Sequence, residues 1–211
     1  MRAAAEIPLH GGTANRGLVH RVGDTVRRPL RPTSDATHAL LRHLEAVGFD
    51  GAPRVLGIDD AGREVLTYVP GEAVTAPAPA WGLTDAALVS VGRLLRRFHE
   101  AATGFDPTPF TWPHAAPAPF AGPGVVHNDP NLDNVVFRDG RAVALIDFDL
   151  AAPGAPVWDV AAAARLWAPL RAPSDTADVR RFRELDRLRL LVDAYGLDGA
   201  DRARLLDAVL D

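Results

Sequence analysis

The stretch from Val125 to Asp149 contains polar side chains of the kinds that bind cations and transfer protons, set between apolar runs. These residues are His127, Asp129, Asp133, Asn134, Asp147 and Asp149. Charged groups beside a protein core cost free energy unless they are paired, hydrogen-bonded or bound to a cation. Their types and spacing therefore point to chemistry that uses carboxylate and amide oxygens.

The apolar runs on either side of Asp139-Gly140 predict a β-hairpin, since Asp-Gly favours a two-residue turn. Counted from that turn, the register places Asn134 opposite Leu145, and Asp147 becomes a diagonal neighbour of Asn134. The two oxygen ligands suit Mg²⁺, which takes one or two protein ligands and leaves room for phosphates. Asp129, in the preceding loop, is placed to accept a proton from a substrate hydroxyl.

Taken singly, these residues have a simpler interpretation, because an Asp in a loop is more often a turn former or a helix cap than a catalyst. The joint pattern is more specific. It runs from His-x-Asp through four further residues to Asn, then through a hairpin to an apolar run that ends in Asp147. This combination favours a catalytic interpretation.

The pattern resembles the catalytic core of the aminoglycoside phosphotransferase and choline kinase superfamily, the protein-kinase-like phosphotransferases of small molecules. HNDPNLDN (127–134) is similar to their catalytic loop, and LIDFD (145–149) to their metal-binding segment. APGAPVWDVA (152–161) is similar to the segment that carries a downstream Asp, here Asp159.

The resemblance implies a role for each polar residue of these segments. Asp129 is the expected catalytic base, and Asn134 and Asp147 are the expected metal ligands. His127 is expected to brace the loop and Asp159 to accept hydrogen bonds from it. For Asp149 two roles stay open, because it either holds a second metal ion or is structural.

The same resemblance implies an α+β, two-lobed protein-kinase-like fold. A small antiparallel N-terminal sheet lobe is expected over residues 1–70 and a larger, mainly helical C-terminal lobe over 71–211, with the hinge around 67–71. Helical periodicity independently predicts helices over 34–47 and from Thr84 onwards, because apolar side chains recur there every three or four residues.

Nucleotide-binding residues are expected in the N-terminal lobe. A Gly11-Gly12 pair precedes the first strands and lets backbone amides approach phosphate, although, without the downstream motif, a plain turn is the better explanation of such a pair. By the resemblance, Val26 roofs the adenine and Arg28 replaces a lysine that holds the phosphates. Arg27 then points to the opposite face and is expected to be solvent-exposed. The residues expected to read the adenine are Thr67, Tyr68 and Val69.

Composition bounds the remaining possibilities. All 23 basic residues are arginine, which excludes a Walker P-loop lysine and Schiff-base chemistry. The absence of cysteine excludes disulfides and thiolate chemistry. The net charge of −4 gives no general attraction to nucleic acid or to anionic membranes. The N-terminus lacks the apolar segment of a signal peptide, so a cytoplasmic location is the expectation.

The resemblance implies an enzyme, in which Mg²⁺ assists transfer of the γ-phosphate of ATP or GTP to a hydroxyl of a small molecule. The acceptor is expected to be an aminoglycoside-like compound, an amino alcohol or another natural product. The alternative is a non-catalytic, kinase-like nucleotide-binding or immunity module. Two departures from the family favour it, because the strand lysine is missing and the early turns of the helix after it carry no glutamate.

Overall fold

The computed structural model describes residues 5–9, 17–170 and 178–210. The elements of the first part are β1 (Glu6–Pro8), β2 (His20–Val22), β3 (Thr25–Pro29), α1 (Ser34–Ala46), β4 (Val55–Ile58) and β5 (Arg63–Thr67). The strands form a five-stranded antiparallel sheet in the order β1-β2-β3-β5-β4. Gly11 and Gly12 lie outside the described residues.

The second part is mainly helical and contains two small sheets. Its elements are β6 (Glu72–Ala73), α2 (Asp85–Ala102), β7 (Val125–Val126), β8 (Val135–Arg138), β9 (Arg141–Leu145), β10 (Ala152–Pro153), α3 (Pro156–Trp167), α4 (Glu184–Tyr195) and α5 (Gly199–Leu210). Strands β6, β8 and β9 form one sheet and β7 and β10 form the other. The polar residues between His127 and Asp149 therefore lie in the two segments that connect these sheets, from β7 to β8 and from β9 to β10.

Helix α2 shows how the sequence builds this part. Thr84 caps its N-terminus, since the Thr84 hydroxyl accepts a hydrogen bond from the Ala87 amide at 3.1 Å. Its apolar residues recur at helical spacing, and they are buried against the other helices and the β8–β9 hairpin; they include Leu88, Val91 and Leu95. Its last turn carries His99 into the interior.

The β8–β9 hairpin departs from the predicted register by one residue. Arg138 faces Arg141 as a two-residue turn requires, but a bulge at Val143 shifts the pairing, and Val135, not Asn134, lies opposite Leu145. Asn134 instead accepts, through its carbonyl oxygen, a 2.9 Å hydrogen bond from the amide of Ile146. The predicted pairing was wrong because a bulge inserts a residue that turn counting does not detect.

The predicted α+β, two-lobed kinase-like fold is confirmed by this sheet-and-helix architecture, with the antiparallel sheet preceding the helical part. The lobe boundary near residue 70 stays a prediction. No helix in the described part of the chain is both long and apolar enough to cross a membrane.

Candidate active site

Asp159, in the first turn of α3, anchors the polar loop that follows β7. Its buried carboxylate accepts hydrogen bonds from the backbone amides of His127 and Asn128, each at 2.7 Å, and from Nε2 of His99 at 3.0 Å. Burial acts to raise the pKa of Asp159, but the donors of His99 and His127 outweigh it and lower that pKa below its ordinary value. The loop is thereby fixed to the helical part through a charged acceptor.

His127 lies between this loop and the end of β9. Its Nε2 donates to the carbonyl oxygen of Ile146 at 3.0 Å, and its Nδ1 accepts from the backbone amide of Asp129 at 3.3 Å. Because Nδ1 accepts and Nε2 donates, the ring carries its proton on Nε2. The ring also packs against Phe148, with 4.6 Å between centroids. His127 therefore braces the loop against the segment after β9.

Asp129 is a half-buried carboxylate within this braced loop. The side-chain amide of Asn134 donates to its Oδ2 at 2.8 Å and to its backbone oxygen at 3.0 Å. Burial is the main cause that raises the pKa of Asp129, and the neighbouring charges of Asp147 and Asp133 add to it. A raised pKa makes a carboxylate a better proton acceptor, which is the property a general base requires.

Asp147 follows β9 in a left-handed backbone conformation, with φ 61° and ψ 66°. Few residues other than glycine adopt this conformation, and it is found at functional sites more often than elsewhere. Its Oδ1 accepts a hydrogen bond from Nη1 of Arg28 at 2.9 Å, and 34% of the side chain stays exposed. The carboxylate thus faces both Arg28 and solvent.

Arg28, on β3, meets three carboxylates. Its Nε lies 2.7 Å from Oε1 of Glu64, a close ion pair without hydrogen-bond alignment, while its Nη1 and Nη2 reach Asp147 at 2.9 Å and Asp149 at 2.7 Å. Burial acts to lower the pKa of Arg28, but the charges of Asp149, Glu64 and Asp147 outweigh it and raise that pKa. Asp149 also pairs with Arg31 at 2.8 Å. The predicted grip of Arg28 on nucleotide phosphates stays a prediction, because each nitrogen faces a carboxylate here.

Comparison with known proteins assigns this chain to a family. Residues 110–191 match the phosphotransferase enzyme family (APH). The chain is also 34% identical to the trifolitoxin immunity protein of Rhizobium leguminosarum bv. trifolii, over 215 aligned residues that cover 97% of this chain and 79% of that protein. The chain belongs to the APH phosphotransferase family.

Solved structures agree with this APH membership at the level of the fold. One is an aminoglycoside phosphotransferase APH(3'')-Id from Streptomyces rimosus in complex with ADP and streptomycin, at a TM-score of 0.64 and 17% identity, covering 98% of this chain and 91% of that one. Another is the streptomycin–ATP–APH(2'')-IIa complex, at a TM-score of 0.65 and 16% identity, covering 100% of this chain and 84% of that one. The predicted membership in the superfamily is confirmed.

The donor set of this APH chain fits one Mg²⁺ ion bound together with phosphates. Asn134 and Asp147 provide amide and carboxylate oxygens near Asp129, which is the small protein contribution that Mg²⁺ accepts when phosphates supply further ligands. Among the described residues, no group of three or more acidic, histidine or cysteine side chains is placed to hold a metal ion. Asp149 does not fit a second metal ion, because Arg28 and Arg31 engage it.

The candidate nucleotide residues lie on the neighbouring strands β3 and β5 of the N-terminal sheet and directly after β5. Val26 is half-buried and packs against the main core. The amides of Thr67 and Tyr68 donate to the carbonyls of Arg54 and Asp24, at 2.9 Å and 2.8 Å. These two amides are therefore already engaged within the protein. The prediction that residues 67–69 recognise adenine rests on the carbonyl groups of this segment and on Val69.

Arg27 is not solvent-exposed as predicted. Its side chain is 22% exposed and its Nη1 lies 3.9 Å from Oδ2 of Asp59. The prediction was wrong because Arg27 reaches towards Asp59, which directly follows β4, and the alternation of faces along β3 does not reveal this neighbour.

Sequence reasoning also missed two residues of the site. Glu64 is paired with Arg28 across β3 and β5, and His38 of α1 binds Glu64 through a 2.6 Å hydrogen bond between Nε2 and Oε2. Both side chains are buried. The available signal was a glutamate directly before the apolar pair Val65-Leu66 of β5, since a buried carboxylate requires a partner.

Proposed function

We propose that this chain is a phosphotransferase that moves the γ-phosphate of ATP to a hydroxyl group of a small molecule. The observation that carries the proposal is the environment of Asp129, a half-buried carboxylate with a raised pKa that is held by Asn134 on a loop braced by Asp159. Such a group can orient a hydroxyl and accept its proton as the phosphorus is attacked.

Each neighbouring residue has a role in this proposal. Asn134 and Asp147 would hold Mg²⁺, which when bound supplies charge neutralisation at the phosphates. His127 and Asp159 keep the backbone of the loop in place, so that Asp129 meets the acceptor hydroxyl in one orientation. In this chemistry most of the rate enhancement comes from positioning and electrostatic stabilisation.

Asp129→Asn tests this assignment, because it removes the proton acceptor and preserves the shape of the side chain. We expect turnover to fall by about 10²- to 10⁴-fold, the usual contribution of a general base, while the affinity for nucleotide stays near that of the wild type. ADP formation is measured with ATP or GTP, Mg²⁺ and a panel of aminoglycosides and amino alcohols. Asp139→Asn, at the exposed hairpin turn, is the matched control and should retain turnover. Normal turnover of Asp129→Asn would refute the role of Asp129.

A second candidate function is immunity without phosphotransfer, and the specific observation that favours it is the 34% identity to a protein named for immunity. The two candidates differ in what they require of nucleotide and of Asp129. A nucleotide present at 100 times its dissociation constant should add about 2.7 kcal/mol to the free energy of unfolding. No thermal shift with ATP or GTP in the presence of Mg²⁺ would support the second candidate. So would full protection of trifolitoxin-sensitive cells by Asp129→Asn.

A further inference from the structure

Arg28 occupies a position between carboxylates that lie on separate elements. Glu64 comes from β5, whereas Asp147 and Asp149 follow β9, and the distances from the guanidinium nitrogens to these carboxylates are 2.7, 2.9 and 2.7 Å. The residue is only 7% exposed. A planar guanidinium can address three acids in three directions, which a lysine ammonium does less well because it is a compact point charge. This chain, which has no lysine, therefore carries at β3 a cation suited to bridging.

The charges of this cluster show what Arg28 compensates. Three carboxylates (Glu64, Asp147 and Asp149) meet two guanidinium groups (Arg28 and Arg31), which leaves a net charge of −1. Without Arg28 the same cluster carries −2, the charge that one divalent cation neutralises. A nucleotide phosphate chain approaching such a cluster would meet strong repulsion. Arg28 thus neutralises negative charge that a bound metal ion would otherwise have to neutralise.

Arg28 is also fixed in place from the side of the sheet. Glu64 is its cross-strand partner and is itself bonded to His38 of α1 at 2.6 Å. If the guanidinium swung away to a distant phosphate, Glu64 would lose its cationic partner while it is 1% exposed, which is costly for a buried carboxylate. The cation therefore stays between the acids.

We propose that Arg28 is a built-in cation, which fills the space between Asp147 and Asp149 where a second divalent ion would otherwise be needed. The site accordingly takes a single divalent ion with its nucleotide, through Asn134 and Asp147. The count of ions bound with nucleotide rests on the proposed function, whereas the exchange of Arg28 for an ion does not require nucleotide.

A merely structural ion pair between the two parts of the chain would give a different result on mutation. Loss of such a pair lowers stability but creates no affinity for metal ions. A built-in cation leaves behind, on removal, the carboxylates of Asp147 and Asp149 without their shared partner, and this pair attracts a divalent ion in its stead. Acquired metal binding is therefore the property that separates the two roles.

The first experiment measures Mn²⁺ binding by electron paramagnetic resonance, with full-length protein and without nucleotide. Arg28→Met keeps most of the aliphatic stem and removes the charge, and we expect it to bind one Mn²⁺ ion at least tenfold more tightly than the wild type. The double variant Arg28→Met/Asp149→Asn should lose the acquired site. Two control variants should bind Mn²⁺ no more tightly than the wild type does. They are Arg27→Met, at the neighbour on the opposite face of β3, and Arg28→Lys, which keeps the positive charge. A folded Arg28→Met that acquires no Mn²⁺ site would overturn the proposal.

The second experiment uses the wild type, so that it remains decisive if Arg28→Met does not fold. Mn²⁺ is titrated in the presence of a non-hydrolysable ATP analogue, and the number of ions bound per chain is counted. One ion supports the proposal and two ions refute it. If the wild type binds no nucleotide, the proposed function fails, and the nucleotide-free measurements on Arg28→Met and Arg28→Lys still decide the role of Arg28.

Discussion

Asp159 shows how one buried residue can set the geometry of a whole loop. Two backbone amides and the ring of His99 donate to a carboxylate that has no contact with solvent. His99 is in turn held by the hydroxyl of Tyr195, at 2.8 Å from Nδ1. A charged acceptor that receives this many hydrogen bonds is stable in the interior, whereas the same acceptor with one partner removed is not.

Asp159→Asn should therefore destabilise the fold by about 3 kcal/mol at pH 7, because an amide group replaces one oxygen and faces a donor. The pKa of Asp159 is lowered from 3.8 in the folded state, so its stabilisation is complete above about pH 4 and is lost as the pH falls through the lowered value. The difference in unfolding free energy between the wild type and Asp159→Asn should consequently narrow below pH 4. Urea titrations across that range measure it.

Asp139→Asn, at an exposed turn, should change the unfolding free energy by less than about 0.5 kcal/mol at any of these pH values. A difference between wild type and Asp159→Asn that stays constant down to pH 2 would contradict the assignment of a lowered pKa to Asp159.

Helices α2 and α4 pack closely enough to exclude a side chain at Gly92. A Cβ atom added there would lie 2.9 Å from the carbonyl oxygen of Leu191 and 3.1 Å from Cβ of Ala194. The glycine thus permits the approach of two helices, one of which positions His99 against Asp159. The position of an element and the geometry of the site are linked through this contact.

Gly92→Ala should destabilise the protein by about 1 to 3 kcal/mol, because the strain of overpacking exceeds the gain of about 1 kcal/mol in helix propensity. Gly199→Ala is the matched control. It lies in α5 with no atom within 4 Å of its added Cβ, and it should be neutral or slightly stabilising. The two variants are compared by thermal and urea unfolding. Equal effects at both positions would show that α2 and α4 have room for the methyl group.

At the scale of the whole molecule, one apolar core joins the N-terminal sheet and the helical part. Leu40 and Leu44 of α1 belong to the same buried cluster as Phe98 of α2 and Phe148. A backbone hydrogen bond also joins the two parts, since the amide of Leu145 donates to the carbonyl oxygen of Gly51 at 2.9 Å. Two parts that share a core are expected to unfold together.

Leu44→Ala tests this cooperativity. It should lower the unfolding free energy by about 2 to 5 kcal/mol, the usual cost of such a cavity. All four tryptophans, Trp81, Trp112, Trp158 and Trp167, lie after residue 80, so their fluorescence reports on the helical part alone. The midpoints from tryptophan fluorescence and from far-ultraviolet circular dichroism should move together. A fluorescence midpoint that does not move would show that the two parts unfold independently.

The sequence by itself determined the family, the fold and the order of the polar residues in the site. The spacing from His127 to Asp147, the Asp139-Gly140 turn and the helical period of 85–102 are local patterns, and each is readable because it depends on neighbouring residues. The observed turn and α2 agree with these patterns.

Only the tertiary structure decided which charges meet. Glu64 became the partner of Arg28 because β3 and β5 pair across an intervening helix and strand, and the bulge at Val143 changed the residue opposite Leu145. Arg27 likewise lies near Asp59 because the turn after β4 comes close to β3 only in the folded protein. Pairing between distant strands is set by the packing of the whole sheet and core, and no local period in the sequence encodes it.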